Sequence, residues 1–191
     1  MAQAERMQWH IASSFYIFIA MMLLTLPLHW LLAVAGAAAI HECSHIAALR
    51  LLGVPVRRLE LDIGGARLIS GPLTPSAEIL CAAAGPLGGL LSLPLARWLP
   101  ALAVCCFAQS IFNLLPIYPL DGGRIMRCIL RLFLPAKQAA AGETVAHFLV
   151  FMMFAFFALK VMTVLRGECI PFLLVGIFLV LAKKKKKPLQ C

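Results

Sequence analysis

A cluster of ionisable residues, His41-Glu42-Cys43-Ser44-His45, lies inside a long apolar segment of this chain. On a helix the two imidazoles of such a pattern lie one turn apart on the same face, with a carboxylate beside them. This arrangement is typical of two zinc ligands and a general base. Ionisable groups are costly in lipid and mark functional sites there. The motif therefore predicts a zinc hydrolase site within a membrane.

The apolar segments predict an all-α polytopic membrane protein. The chain has 191 residues, of which 62% are hydrophobic and 13% are charged. A helix that crosses a bilayer needs about 20 apolar residues. Six segments fit this description, although the fourth is interrupted and the last is short: 9–27, 28–53, 76–96, 98–120, 143–162 and 167–182. We therefore expect about six transmembrane helices in the cell membrane.

The distribution of basic residues predicts the orientation of these helices. With a cytoplasmic N-terminus and six spans, 14 of the 17 basic residues fall on the cytoplasmic side, and only Arg97, Lys160 and Arg166 fall on the other. The positive-inside rule expects such an imbalance. Both termini are therefore predicted to be cytoplasmic. The net charge of +9 indicates contact with anionic lipid rather than with nucleic acid.

The segment between the second and third spans is too polar and too short to cross a membrane. Leu59, Leu61 and Ile63 alternate with acidic residues, and Gly64-Gly65 follow as a turn. This pattern predicts a short β-hairpin, either a cytoplasmic loop or a re-entrant hairpin whose free edge holds a substrate strand. An acidic residue on its polar face, Asp62, is more typical of a solvated carboxylate than of a metal ligand.

A third zinc ligand must come from elsewhere in the chain. Cys43 is predicted to point away from the face that His41 and His45 share. The two main candidates are His147 and Asp121. His147 lies in a regular apolar stretch, where a packed or hydrogen-bonded histidine is common. Asp121 lies within a segment broken by two prolines and two glycines, and such irregular backbone occurs at membrane depth only where it is buried or lines a cavity.

Taken together, these motifs resemble the site-2 protease family of intramembrane metalloproteases. The resemblance rests on HExxH in one span, on NLLPIYPLDGGR at residues 113–124 and on AGP at residues 84–86. It is strongest to the subgroup of the stage IV sporulation protein FB, which cleaves pro-sigma-K, and it covers residues 30–135 well. It implies that His41, His45 and Asp121 bind zinc and that Glu42 is the catalytic base.

The resemblance also implies further residues and partners. Asn113 would hydrogen-bond the substrate backbone or the developing oxyanion, although a helix–helix hydrogen bond is an equal alternative. The expected partners are a membrane-associated protein substrate, such as pro-sigma-K, and an inhibitory membrane protein. The sequence does not indicate an oligomeric state.

The resemblance and the composition together predict the domain organisation. Residues 1–182 are expected to form one integral membrane metalloprotease domain, and residues 183–191 a basic cytoplasmic tail. The subgroup often carries a nucleotide-binding CBS domain after the last span. No such domain is expected in these 191 residues.

Two other functions fit parts of the pattern. A multi-pass zinc transporter can carry an HExxH-like helix, but it needs ligands on neighbouring helices that form a path. A non-catalytic membrane scaffold could keep the fold, but it would gain little from four ionisable groups in lipid. Proteolysis is therefore the main hypothesis, and transport is the alternative.

Overall fold

The computed structural model describes residues 8–62 and 65–164, which form a mostly helical structure with one small sheet. The chain divides into two units, Met1–Ile129 and Leu130–Cys191. The bounds of the helices and strands, in chain order, are β1 Gln8–Ile11, α1 Ser13–Thr25, α2 Leu28–Leu51, β2 Val56–Asp62, β3 Gly65–Ser70, α3 Pro75–Leu91, a short 3-10 helix Leu93–Arg97, α4 Pro100–Asn113, α5 Asp121–Phe133 and α6 Ala136–Val164.

A proline, a glycine and a threonine each lie at the end of a helix. Pro27 separates α1 from α2, because the residue before a proline disfavours the helical conformation. At the end of α2, Gly53 has a φ of 69°, and the N–H groups of Gly53 and Val54 donate to the carbonyls of Arg50 and Leu49. This is a Schellman motif. Helix α3 begins after Thr74, whose hydroxyl accepts a hydrogen bond from the N–H of Ala77.

Small residues allow α2, α3 and α4 to pack together in the first unit. The buried residues of α2 recur every fourth position, so they form one stripe along the helix. They meet small buried residues on the other two helices, which lets the backbones approach closely. The stripe consists of Ala33, Ala37, His41, His45 and Leu49, and the buried residues of the other two helices include Cys81, Ala82, Gly85 and Gly89 of α3 and Ala103, Cys106 and Ser110 of α4.

Three helices within the described residues are long and apolar enough to cross a membrane: Leu28–Leu51, Pro75–Arg97 and Ala136–Phe157. Helices α1 and α4 are apolar but have 13 and 14 residues, or about 20 Å at 1.5 Å per residue. The six predicted spans are therefore not confirmed. The predicted fourth span is a helix only as far as Asn113, and the predicted last span, 167–182, lies outside the described residues.

The predicted hairpin is present as β2 and β3, which pair antiparallel. Two details differ from the prediction. Gly65 is the first residue of β3, paired with Asp62, whereas the sequence assigned it to the turn. A third strand, β1, pairs in parallel with β2, so that Trp9 lies beside Leu59. The sequence had instead placed the start of the first span at residue 9. A sequence pattern does not reveal a partner about 50 residues away.

Candidate metal centre

His41 and His45 lie on the buried stripe of α2, one turn apart, and each is 4% exposed. Their Nε2 atoms are 3.2 Å apart, and the two rings are nearly perpendicular. Cys43, between them in sequence, is exposed on another face, as predicted. The helix thus presents two imidazole nitrogens at one point and holds the thiol away from it.

Asp121 reaches the same point from the first turn of α5. Its Oδ2 atom is 3.1 Å from Nε2 of His41 and 3.3 Å from Nε2 of His45, and the residue is 5% exposed. Gly122 and Gly123 make this position possible. A Cβ atom at either glycine would overlap the backbone of residues 114–118, which lead from α4 to α5.

The three side chains form a group that fits a metal ion. A tetrahedral zinc ion with bonds of about 2.0–2.1 Å separates neighbouring ligand atoms by about 3.3 Å. The three observed separations are 3.1, 3.2 and 3.3 Å. Asp121 Oδ2 is also buried without a hydrogen-bond partner among the described residues, and a buried polar atom in that state is costly. A cation bound to all three atoms would satisfy it.

A backbone carbonyl of α3 orients one of the imidazoles. His45 Nδ1 lies 2.8 Å from the carbonyl oxygen of Cys81, to which it can only donate. Nδ1 of His45 therefore carries a proton, and Nε2, which faces Asp121, is the ring nitrogen left for a metal ion. Metal-binding histidines are held in this way by a second hydrogen bond that fixes the tautomer. The geometry thus prepares His45 to bind a metal through Nε2.

Glu42 is half-buried next to the three side chains but is not one of them. It is close enough to His41, His45 and Asp121 to interact with them electrostatically. Glu42 thus lies near the three candidate ligands without being one of them, and its role as a general base stays a prediction.

The other residues considered in the sequence lie elsewhere. Asn113 is the last residue of α4, and its Nδ2 donates to the carbonyl of Gln109, 3.1 Å away, so its predicted role toward a substrate stays a prediction. His147 Nδ1 donates to the carbonyl of Glu143 in its own helix. Asp62 ends β2. Within the described ranges, the only group of this kind that could hold a metal is His41, His45 and Asp121.

Because Gly85 of α3 has no side chain, the imidazoles of His41 and His45 have space beside it. A Cβ atom at this position would overlap Nε2 of His45 and would lie 2.7 Å from Cε1 of His41. In the sequence, Gly85 belongs to the AGP motif at residues 84–86, one of those that carry the family resemblance. Its position against the metal-binding atoms is a finding of the structure.

We expect Gly85→Ala to weaken zinc binding at least tenfold, because the added methyl group must displace one imidazole. Overpacking of a well-packed site typically costs about 1–3 kcal/mol. The measurement is the zinc dissociation constant of the purified protein. Gly71→Ala is the matched control, since its Cβ atom would meet only Val54 and Pro55, at 3.6 and 3.9 Å. Equal zinc binding by both variants would contradict the expectation.

Sequence reasoning missed two charged residues next to Asp121. Arg124 binds Asp121 Oδ1 through Nη1 at 3.3 Å, and it binds Glu78 Oε1 through Nε and Nη2 at 2.8 and 2.7 Å. One signal was available, because Arg124 follows Asp121 by three residues and such pairs meet on a helix. No local signal linked Glu78 to a residue 46 positions away.

Three comparisons relate this chain to known proteins. Residues 77–159 match the model of peptidase family M50, which includes Asp121 but not the HECSH motif. The chain is 32% identical over 130 residues to a protein named putative zinc metalloprotease Rip3, from two strains of Mycobacterium tuberculosis. The match covers 53% of this chain but only 32% of the Rip3 proteins, so the chain spans about a third of their length.

A solved structure shares the fold. The site-2 protease from Methanocaldococcus jannaschii superimposes with a TM-score of 0.66 and 19% sequence identity, covering 96% of this chain and 92% of that one. The chain is thus similar over residues 77–159 to peptidase family M50, and it shares the fold of the M. jannaschii site-2 protease. The comparisons do not reach the subgroup of the stage IV sporulation protein FB, which stays a prediction.

Proposed function

We propose that this chain is an intramembrane zinc metalloprotease, which hydrolyses a peptide bond in or near the membrane segment of another protein. One observation carries the proposal: two imidazole nitrogens and a carboxylate oxygen, all buried, converge within 3.1–3.3 Å of one another. The M50 match and the fold of the M. jannaschii protease support the same chemistry.

His41, His45 and Asp121 would hold the zinc ion. When bound, zinc supplies a Lewis acid that polarises the scissile carbonyl and lowers the pKa of water toward about 7. Glu42 would take a proton from the attacking water and then deliver it to the leaving amine. Cys81 would hold His45 in the tautomer that binds through Nε2.

The sheet offers a means of holding the substrate. A peptide bond within a transmembrane helix is shielded by its own hydrogen bonds, so the substrate must unwind locally before it is cut. Strands in the described residues are ordered β1-β2-β3, which places β3 at an edge. Addition of the unwound segment to this edge would satisfy its exposed backbone groups. Asn113 would bind the substrate backbone or the developing oxyanion closer to the metal.

The substrate class, partners and orientation are also proposed. We expect a membrane-associated protein substrate, and the resemblance of the motifs alone favours a pro-sigma factor of sporulation and an inhibitory membrane partner. The 14-to-3 distribution of basic residues supports a multi-pass protein of the cell membrane with cytoplasmic termini and contacts to anionic lipid. The alternative, zinc transport, is not favoured, because no second metal-binding group lies within the part of the chain that the structure describes.

Cleavage and transport give different results in two assays. We expect co-expression with single-span or membrane-associated candidate substrates to yield a new peptide terminus, mapped by mass spectrometry, that is absent with Glu42→Gln. In sealed vesicles, we expect the purified chain to produce no zinc flux above that of protein-free vesicles. Zinc flux without any peptide cleavage would overturn the proposal in favour of transport.

A further inference from the structure

Two charged residues, Glu78 and Arg124, connect α3 to the carboxylate of Asp121. We propose that they are positioning residues, which hold Asp121 so that one selected oxygen faces the metal. This inference rests on the proposed function, because it assigns these residues a role toward the zinc site. Neither residue is expected to touch the metal or the substrate.

The two carboxylate oxygens of Asp121 have different partners. Nη1 of Arg124 donates to Oδ1 at 3.3 Å, whereas Oδ2 faces the two imidazoles. Rotation of a carboxylate about its last bond is soft, with a broad, roughly two-fold energy profile. A donor that is fixed on one oxygen therefore restricts rotation of the carboxylate and so fixes the direction of the other oxygen. In this arrangement Oδ2 remains directed at His41 and His45.

Glu78 in turn holds Arg124. A single oxygen, Oε1, accepts from both Nε and Nη2 of the guanidinium, at 2.8 and 2.7 Å. Fixing an arginine side chain costs rotamer entropy. Two charge-assisted hydrogen bonds to one carboxylate offset that cost. Glu78 also offsets the positive charge. Without Glu78, the guanidinium would be free to pair more fully with Asp121 and would compete with a metal for its oxygens.

The same face of α3 orients two of the three ligands. Glu78, Cys81 and Gly85 are spaced by three and four residues, so they lie on one side of the helix. Glu78 acts on Asp121 through Arg124. The backbone carbonyl of Cys81 accepts a hydrogen bond from His45, and Gly85 leaves space for both imidazoles. Glu78 and Arg124 keep 19% and 29% of their side-chain surface exposed, so the pair is part-buried. Arg124 is in direct contact with a candidate metal ligand, Asp121, and this contact supports a positioning role.

The test is a double-mutant cycle on zinc affinity. The zinc dissociation constant of the full-length chain in detergent is measured by competition with a chromophoric chelator. Four proteins are compared: the parent, Glu78→Gln, Asp121→Ala and the double variant. We expect Glu78→Gln to weaken zinc binding about 10–100-fold, the range for partners of metal ligands. In the Asp121→Ala background it should have no further effect, because the residue it positions is gone.

A matched control and a spectroscopic measurement separate positioning from structural damage. Glu60→Gln removes a carboxylate from another ion pair, with Arg58 on β2, and should leave zinc affinity unchanged. The visible spectrum of bound Co²⁺ should change in Glu78→Gln and not in Glu60→Gln. If Glu78→Gln does not fold, Arg124→Lys serves in the same cycle, since it keeps the charge but cannot bind both carboxylates through one planar fork.

The outcomes distinguish this inference from the function on which it rests. An equal loss of affinity in both backgrounds, or no loss in the parent background, would overturn the positioning role. If Asp121→Ala itself left zinc affinity unchanged, the metal site and the proposed function would fail with it. A loss with Asp121→Ala but none with Glu78→Gln or Arg124→Lys would overturn the positioning role alone.

Discussion

Glu42→Gln is expected to stop peptide cleavage while the protein still binds zinc. Glutamine keeps the shape of the side chain but cannot take a proton from water at neutral pH, and general base catalysis contributes about 10²–10⁴-fold to the rate. The metal-binding group does not include Glu42, so its three members remain in place. The measurements are the cleavage rate of a co-expressed or purified membrane substrate and the zinc content by elemental analysis.

A control from the same motif isolates the carboxylate. Cys43→Ser changes the neighbouring residue, whose side chain is exposed and directed away from the two imidazoles, and it should retain the parent's cleavage rate and zinc content. Full activity of Glu42→Gln would remove the residue from the reaction. Loss of zinc from Glu42→Gln would instead show that the carboxylate helps to hold the metal.

The convergence of the site could be predicted because each part has a local signal. His41 and His45 are four residues apart, and helix geometry alone puts them on one face. Asp121 was marked by the prolines and glycines around it, which predicted an irregular segment between two helices, and residues 114–120 lie between α4 and α5. The direction in which Asp121 points needed the resemblance to a family as well. Its roles and those of Glu42 and Asn113 stay predictions until they are tested.

The parts that could not be predicted depend on contacts distant in sequence. The pairing of β1 with β2 joins residues about 50 positions apart, and the sequence placed Trp9 to Ile11 in the first span because they lie just before an apolar helix. The contact between Glu78 and Arg124 spans 46 positions. Helix lengths were also misjudged, because a helix and its apolar segment do not end at the same residues. Thus α6 begins at Ala136, seven residues before the predicted segment 143–162.

Asp121→Ala is expected to reduce zinc affinity by more than about 100-fold. Loss of a residue that only hydrogen-bonds a metal ligand already reduces metal affinity by about 10–100-fold, and Asp121 is proposed as a ligand itself. The two imidazoles on α2 would remain, but a catalytic zinc ion is usually held by three protein ligands. Cleavage should be lost together with the metal. The measurements are the zinc dissociation constant and the stoichiometry of the purified variant.

Asp62→Ala is the matched control for this change, because Asp62 is the other aspartate that the sequence offered as a ligand and it lies at the end of β2. Zinc affinity of Asp62→Ala should equal that of the parent. The contrast between the two variants tests whether zinc selects the aspartate that faces His41 and His45 at 3.1 and 3.3 Å. Because only Asp121 is placed to share an ion with both imidazoles, an unchanged zinc stoichiometry in Asp121→Ala would refute the metal centre on which the hydrolytic mechanism depends.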